Sequence, residues 1–144
     1  MRSSEATASQ PTGAVVGWPR NWLRLEGLAG LAAGVIGYRA AGGDLLWLVP
    51  ALLAVDVSMV GYLAGSHPGA IVYNLAHNWF TALAVLGAGL FLALTPLVLA
   101  GWVLIAHVGG DRLAGYGLKY APAFGDTHLG WIGRRRAASR RVPS

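Results

Sequence analysis

The chain has no cysteine among its 144 residues. Disulfides, thiolate metal sites, thiol nucleophiles and cysteine-linked lipids are therefore excluded. Charge is nearly as scarce: Asp, Glu, Lys and Arg make up 12% of the residues, against roughly 25% in an average soluble domain. That scarcity is concentrated. From Val57 to Gly110 the chain runs 54 residues without one Asp, Glu, Lys or Arg, bracketed by Asp56 and Asp111. There is no G-x-S-x-G elbow, no H-E-x-x-H pair and no phosphate-cradling glycine loop. The G-x-G of Gly115–Gly117 follows no strand-like run and reads as an interfacial turn, with Tyr116 and Tyr120 at headgroup level. Met1–Pro19 is polar and small, without the apolar core that a cleaved signal peptide needs, and reads as a disordered tail.

What remains is apolar. Apolar residues are 55% of the chain and the mean hydropathy is +0.52. A charge-free run of 54 residues is too long for one helix of a soluble domain and reads as membrane-spanning helices. Punctuation divides the chain into four spans: about Trp22 to Ala41, Leu45 to Ala64 with Pro50 as a kink, Ala70 to Leu90, and a fourth from Thr95-Pro96 to about Leu113 or Gly115. Gly65 to Gly69 reads as a tight turn between the second and third. In the first span Gly27, Gly30, Gly34 and Gly37 fall on one face, with Gly30 and Gly34 forming a G-x-x-x-G pair suited to close helix packing.

These spans define an all-α fold, a four-helix membrane bundle over residues 21–133, with polar tails at 1–20 and 134–144. Four spans put both termini, the Ser66 turn and the segment after Leu113 on one side. That side carries Arg20, Arg24, Arg112, Lys119 and the tail arginines Arg134, Arg135, Arg136, Arg140 and Arg141, against only Arg39 opposite. The positive-inside rule places both termini in the cytoplasm and the protein in the inner membrane as a multi-pass protein. The arginine tail suits anionic lipid headgroups rather than a nucleic-acid groove, and the bundle leaves a homo-oligomer open.

Ionisable groups inside such a bundle mark function, because each is costly in hydrocarbon. Asp56 and His77 each lie nine residues from the turn, about 13 Å deep on a helical rise of roughly 1.5 Å per residue. His107 lies about 16 Å from the opposite side, hence at about the same level. Asp111 follows His107 at i+4 on the same face, and Tyr73, Asn74 and Asn78 surround His77. Beyond the fourth span Asp126 and His128 would point the same way in an extended segment folded back over the bundle mouth, and Glu26 opens on that side. His67 falls in the turn.

Imidazole and carboxylate together suit a divalent ion such as Zn, Fe or Mn. Asp56, His77 and His107 are the expected ligands, with His128 or Asp111 completing the shell. Asp111 or Asp126 would act as general base, and Lys119 or Arg112 would hold an anionic headgroup. Such a centre hydrolyses by activating a bound water, which points to a lipid or amphiphile as substrate. The alternatives are haem on two histidines, and a polar layer that serves as a proton or ion relay or as an assembly determinant.

Four strings carry a resemblance: Asp56-Val57-Ser58-Met59-Val60-Gly61-Tyr62, Tyr73-Asn74-Leu75-Ala76-His77, His107-Val108-Gly109-Gly110-Asp111-Arg112 with Gly115–Tyr120, and Phe124-Gly125-Asp126-Thr127-His128-Leu129-Gly130. They resemble the small bacterial integral membrane proteins catalogued as domain of unknown function 4260, over about Leu23 to Gly133. More loosely, the order of Asp56, His77 and the His107/Asp111 pair is similar to bacterial membrane-bound metal-dependent hydrolases, with one Asp in place of an acidic pair and one His in place of two. That second resemblance implies a metal-dependent hydrolase.

Overall fold

A computed structural model describes residues 13–121 and 124–132. The arginine tail and most of the polar N-terminal tail expected from the sequence lie outside these residues. The helices are α1 (Trp18–Ala40), α2 (Leu45–Val55), α3 (Ser66–Ala76), α4 (Trp79–Phe91) and α5 (Thr95–Ala114), with a 3₁₀ helix (Asp56–Ala64) continuing α2. A small hairpin closes the chain, β1 (Asp126–Thr127) pairing antiparallel with β2 (Gly130–Trp131). The fold is mainly helical. Among the described residues, two continuous segments are long and apolar enough to cross a bilayer: Leu45–Ala64, of mean hydropathy 1.8, and Thr95–Ala114, of mean hydropathy 1.4. Large apolar side chains such as Leu63, Phe80 and Phe91 lie exposed on the outside, as expected of a surface whose solvent is lipid.

Helix α5 is the axis, packed by α1, α2 and α4. The glycine face of α1 makes the closest contact. A Cβ on Gly34 would overlap the backbone of Ala106, and one on Gly109 would overlap that of Leu31, so the two helices meet backbone to backbone. Leu94 precedes α5, Thr95-Pro96 forms its first turn, and Gly115 ends it in the left-handed conformation at φ 92°. There the Tyr116 N–H reaches back to the Asp111 carbonyl at 2.7 Å.

Two elements differ from the sequence expectation. The stretch from Gly65 to Gly69 is not all turn: only Gly65 (φ 117°) turns, and Ser66 already begins α3. The third span is two helices broken at His77-Asn78. Asn78 is the cause. Its amide donates to the carbonyls of Asn74 (2.7 Å) and Leu75 (2.9 Å), ending α3, while its oxygen accepts the Thr81 N–H (2.8 Å), starting α4.

The second span changes geometry midway. From Asp56 onward it winds as a 3₁₀ helix, where i and i+3 eclipse. Asp56, Met59 and Tyr62 therefore stand in one row, which an α-helix would have fanned by about 60° per step. Gly61 and Gly69 let this segment pack tightly on α3, since a Cβ on either would overlap Val72 or Tyr62.

After α5 the chain runs extended and folds back. Lys119 bridges Thr127, the Tyr120 N–H binds the Asp126 carbonyl (2.8 Å), and the Val15 N–H binds the His128 carbonyl (2.7 Å). Residues 13–15 thus join the cap built on the hairpin.

Candidate metal centre

Asp56, His77, His107 and Asp111 converge from three directions. Asp56 opens the 3₁₀ helix, His77 sits at the break after α3, and His107 and Asp111 stand one turn apart on α5. One ligand atom each from Asp56, His77 and His107 lie within 4.8 Å of one another. His77 Nε2 is 3.4 Å from Asp56 Oδ1 and 3.9 Å from Asp111 Oδ2. His107 Nε2 is 3.5 Å and 3.7 Å from the same two oxygens. Both histidines are buried.

These separations have a chemical meaning. Charge-assisted N–H···O bonds run at about 2.7–2.9 Å, so all four contacts are too long for strong hydrogen bonds. Ligands held at about 2.0–2.2 Å around one tetrahedral ion stand roughly 3.3–3.6 Å apart, close to what is seen. The tautomer agrees. His77 Nδ1 lies 2.9 Å from the Tyr73 carbonyl, which can only accept, so Nδ1 carries a proton and Nε2 is the ring atom that faces the carboxylates. Asp56, His77 and His107 thus form a group that could hold a metal ion. His107 Nε2 is in addition buried without a hydrogen-bond partner.

The surroundings hold these ligands in place. The Tyr73 hydroxyl donates to Asp111 Oδ2 at 3.1 Å, and its ring stacks on His77 with centroids 3.8 Å apart. Arg112 is buried and donates to the His77 carbonyl (3.2 Å) and the Tyr116 carbonyl (2.8 Å), so it ties the helix break to the end of α5. Asn74 clamps the cap onto α3: its amide donates to the Lys119 carbonyl (2.9 Å) and its oxygen accepts the Lys119 N–H (2.7 Å).

Beside the centre lies a cavity of about 270 Å³ whose walls include Asp56, Met59, Tyr73, Asp111, Lys119 and Phe124. Lys119 is only 5% exposed. Its ammonium sits over the Phe124 ring (3.2 Å to the centroid) and the Tyr73 ring (4.6 Å), and donates to the Phe124 carbonyl at 3.1 Å. Burial pushes this ammonium below the ordinary lysine range, against the pull of Asp111 and Asp56. A second hollow, an apolar groove of about 630 Å³, runs between α2 and α5 past Trp47, Val55, Leu99 and Val103. Val55 directly precedes Asp56, and Val103 lies one turn before His107.

The other expected site residues lie elsewhere. His128 faces the cap: its Nδ1 accepts the Leu118 N–H at 2.8 Å, and it is not in the ligand group. Burial, and then the nearby Arg112 guanidinium, lowers its imidazole below the usual histidine range. Asp126 is in β1, with a buried Oδ1 that has no hydrogen-bond partner, and Glu26 is exposed on α1. The rings of His77 and His107 meet edge to face with centroids 4.8 Å apart, which leaves no slot for a porphyrin between them. The roles of Tyr73 and Arg112 were missed from sequence. Tyr73 at i−4 from His77 was the available signal; nothing local marked Arg112.

One family model, described as "Domain of unknown function (DUF4260)", matches residues 20–132. No curated protein and no solved structure matches the chain.

Proposed function

The chain belongs to the DUF4260 family, and we propose that it is a four-span protein of the inner membrane, with both termini cytoplasmic, that hydrolyses a bond in a lipid or other amphiphile at a divalent metal centre. The observation that carries this reading is the meeting of two imidazole Nε2 atoms with two carboxylate oxygens at 3.4–3.9 Å. Asp56, His77 and His107 would hold the ion and Asp111 would complete the shell. Held by these residues, a divalent ion would supply Lewis-acid activation of water.

The chain's own groups supply the rest. Tyr73 and the Nδ1 contact of His77 orient ligands, as outer-shell partners do in metal sites. Asp111, the carboxylate on the rigid helix, lines the cavity and is placed to take a proton there. The α2–α5 groove gives an apolar chain a place one turn from the centre. A transmembrane relay is less well supported: α2, α4 and the first half of α5 contain no ionisable side chain to carry a proton onward.

Elemental analysis of the detergent-purified full chain tests this. About one divalent ion per chain is expected, and it should be lost in a His77→Ala/His107→Ala double variant. Absence of stoichiometric metal, or unchanged content in that variant, would sink the reading.

A further inference from the structure

The cavity beside the centre is asymmetric. Asp56 and Asp111 form one wall and Lys119 another. Four buried or half-buried charges gather here: the two carboxylates, the Lys119 ammonium and the Arg112 guanidinium. With the imidazoles neutral, as metal ligation needs, these four sum to zero. A divalent ion then adds two positive charges in a setting where uncompensated charge is expensive. Arg112 is engaged with two carbonyls and is absent from the cavity wall. Lys119 has one of its three donors on the Phe124 carbonyl, and its backbone is clamped by Asn74. Among the described residues it is the cation on the cavity wall.

From this juxtaposition we propose that the cavity is a subsite for a dianionic phosphate group, held between the metal centre and Lys119. The inference rests on the metal-centre reading and narrows its substrate class to phosphate-bearing molecules. Phosphate fits on two counts. Its dianion cancels the excess charge of the loaded centre, and its several oxygens can meet the ion and an ammonium together. The Phe124 and Tyr73 rings under the ammonium hold it in place without neutralising it.

Binding of three probes to the metal-loaded, detergent-purified full chain tests this. Inorganic phosphate and dodecyl phosphate carry a dianion near neutral pH, whereas dimethyl phosphate is a monoanion. Either dianion is expected to bind at least tenfold more tightly than dimethyl phosphate, and stripping the metal should remove that preference. Lys119→Gln should weaken dianion binding at least tenfold at unchanged metal content, and Lys119→Arg should restore most of it. An advantage of dodecyl phosphate over inorganic phosphate identifies a lipid headgroup as the source, and equal affinity identifies free phosphate. Phosphate binding that is the same in Lys119→Gln and wild type, or in stripped and loaded protein, would overturn the subsite. A wild type without metal would overturn it too, and metal content alone tells that failure from loss of the anion site.

Discussion

The centre is built from two kinds of chain. On one side α5 is continuous for 20 residues and presents His107 and Asp111 one turn apart. On the other, Asp56 and His77 both stand where regular helix stops: Asp56 at the change from α to 3₁₀, His77 at the gap between α3 and α4. The continuous helix supplies a fixed edge. The broken segments supply reach, because each break frees a side chain and a carbonyl from the helical repeat. Irregular backbone within a membrane protein is tolerated where other groups satisfy it, and here Asn78 and Arg112 do so.

If this division is right, substitutions on the two sides should act differently. The largest effects belong to the ligands. His107→Ala and His77→Ala should each reduce metal affinity by at least about 100-fold, the upper end of what outer-shell changes cost, measured by competition with a coloured chelator. His107→Ala should leave α5 helical. Wild-type metal affinity in either variant would remove that side of the centre from the ligand set.

Next comes Tyr73→Phe, which removes the hydrogen bond to Asp111 but keeps the stack on His77. About a tenfold loss of metal affinity is expected, in the roughly 10–100-fold range of outer-shell partners, with little change in thermal stability.

Asn78→Ala probes the break itself. Loss of the cap should cost about 1 kcal/mol in unfolding measured in mixed micelles. Metal affinity should fall as well, because α3 and α4 gain freedom to join and swing His77 away. A variant that loses stability but keeps full affinity would mean that the break does not position His77.

The smallest effect concerns the cap, which belongs to neither side. His128 accepts the Leu118 N–H only with Nδ1 unprotonated. Its folded-state pKa lies below the unfolded value of about 6.5. The unfolded state therefore binds the proton first, and stability present above pH 6.5 declines as pH falls towards the lower folded value. The protection factor of the Leu118 amide, the intrinsic exchange rate over the observed rate at the same pH, should fall over that window in wild type. In His128→Ala it should be low already at neutral pH, without metal loss.

The same contrast explains what could be read from sequence. His107 and Asp111 were legible because a regular helix turns spacing into direction. Counting from the turn brought Asp56 and His77 towards one level, although the 3₁₀ rise of about 2.0 Å per residue stretches the Asp56 side beyond a count made at about 1.5 Å. Direction at the breaks was not legible. Val57 to Ala64 is equally apolar as α or 3₁₀ helix, so nothing in hydropathy announces the row of Asp56, Met59 and Tyr62. Asn78 before Trp79 and three residues ahead of Thr81 was a cap signal, submerged in a stretch that also fits one uninterrupted span. Arg112 reads as an exposed basic residue at a helix end, and only the open carbonyl at His77 explains its burial. His128 was assigned by strand alternation, but the hairpin carries it to Leu118 instead of to the centre.

X-ray absorption at the edge of the metal that copurifies with the full-length protein tests the central claim most directly. The account predicts one divalent ion with a shell of about two imidazole nitrogens and two to three oxygens near 2.0–2.2 Å, with the imidazole signal halved in His107→Ala. A protein that carries no metal, or a metal whose shell lacks imidazole scattering, would contradict it.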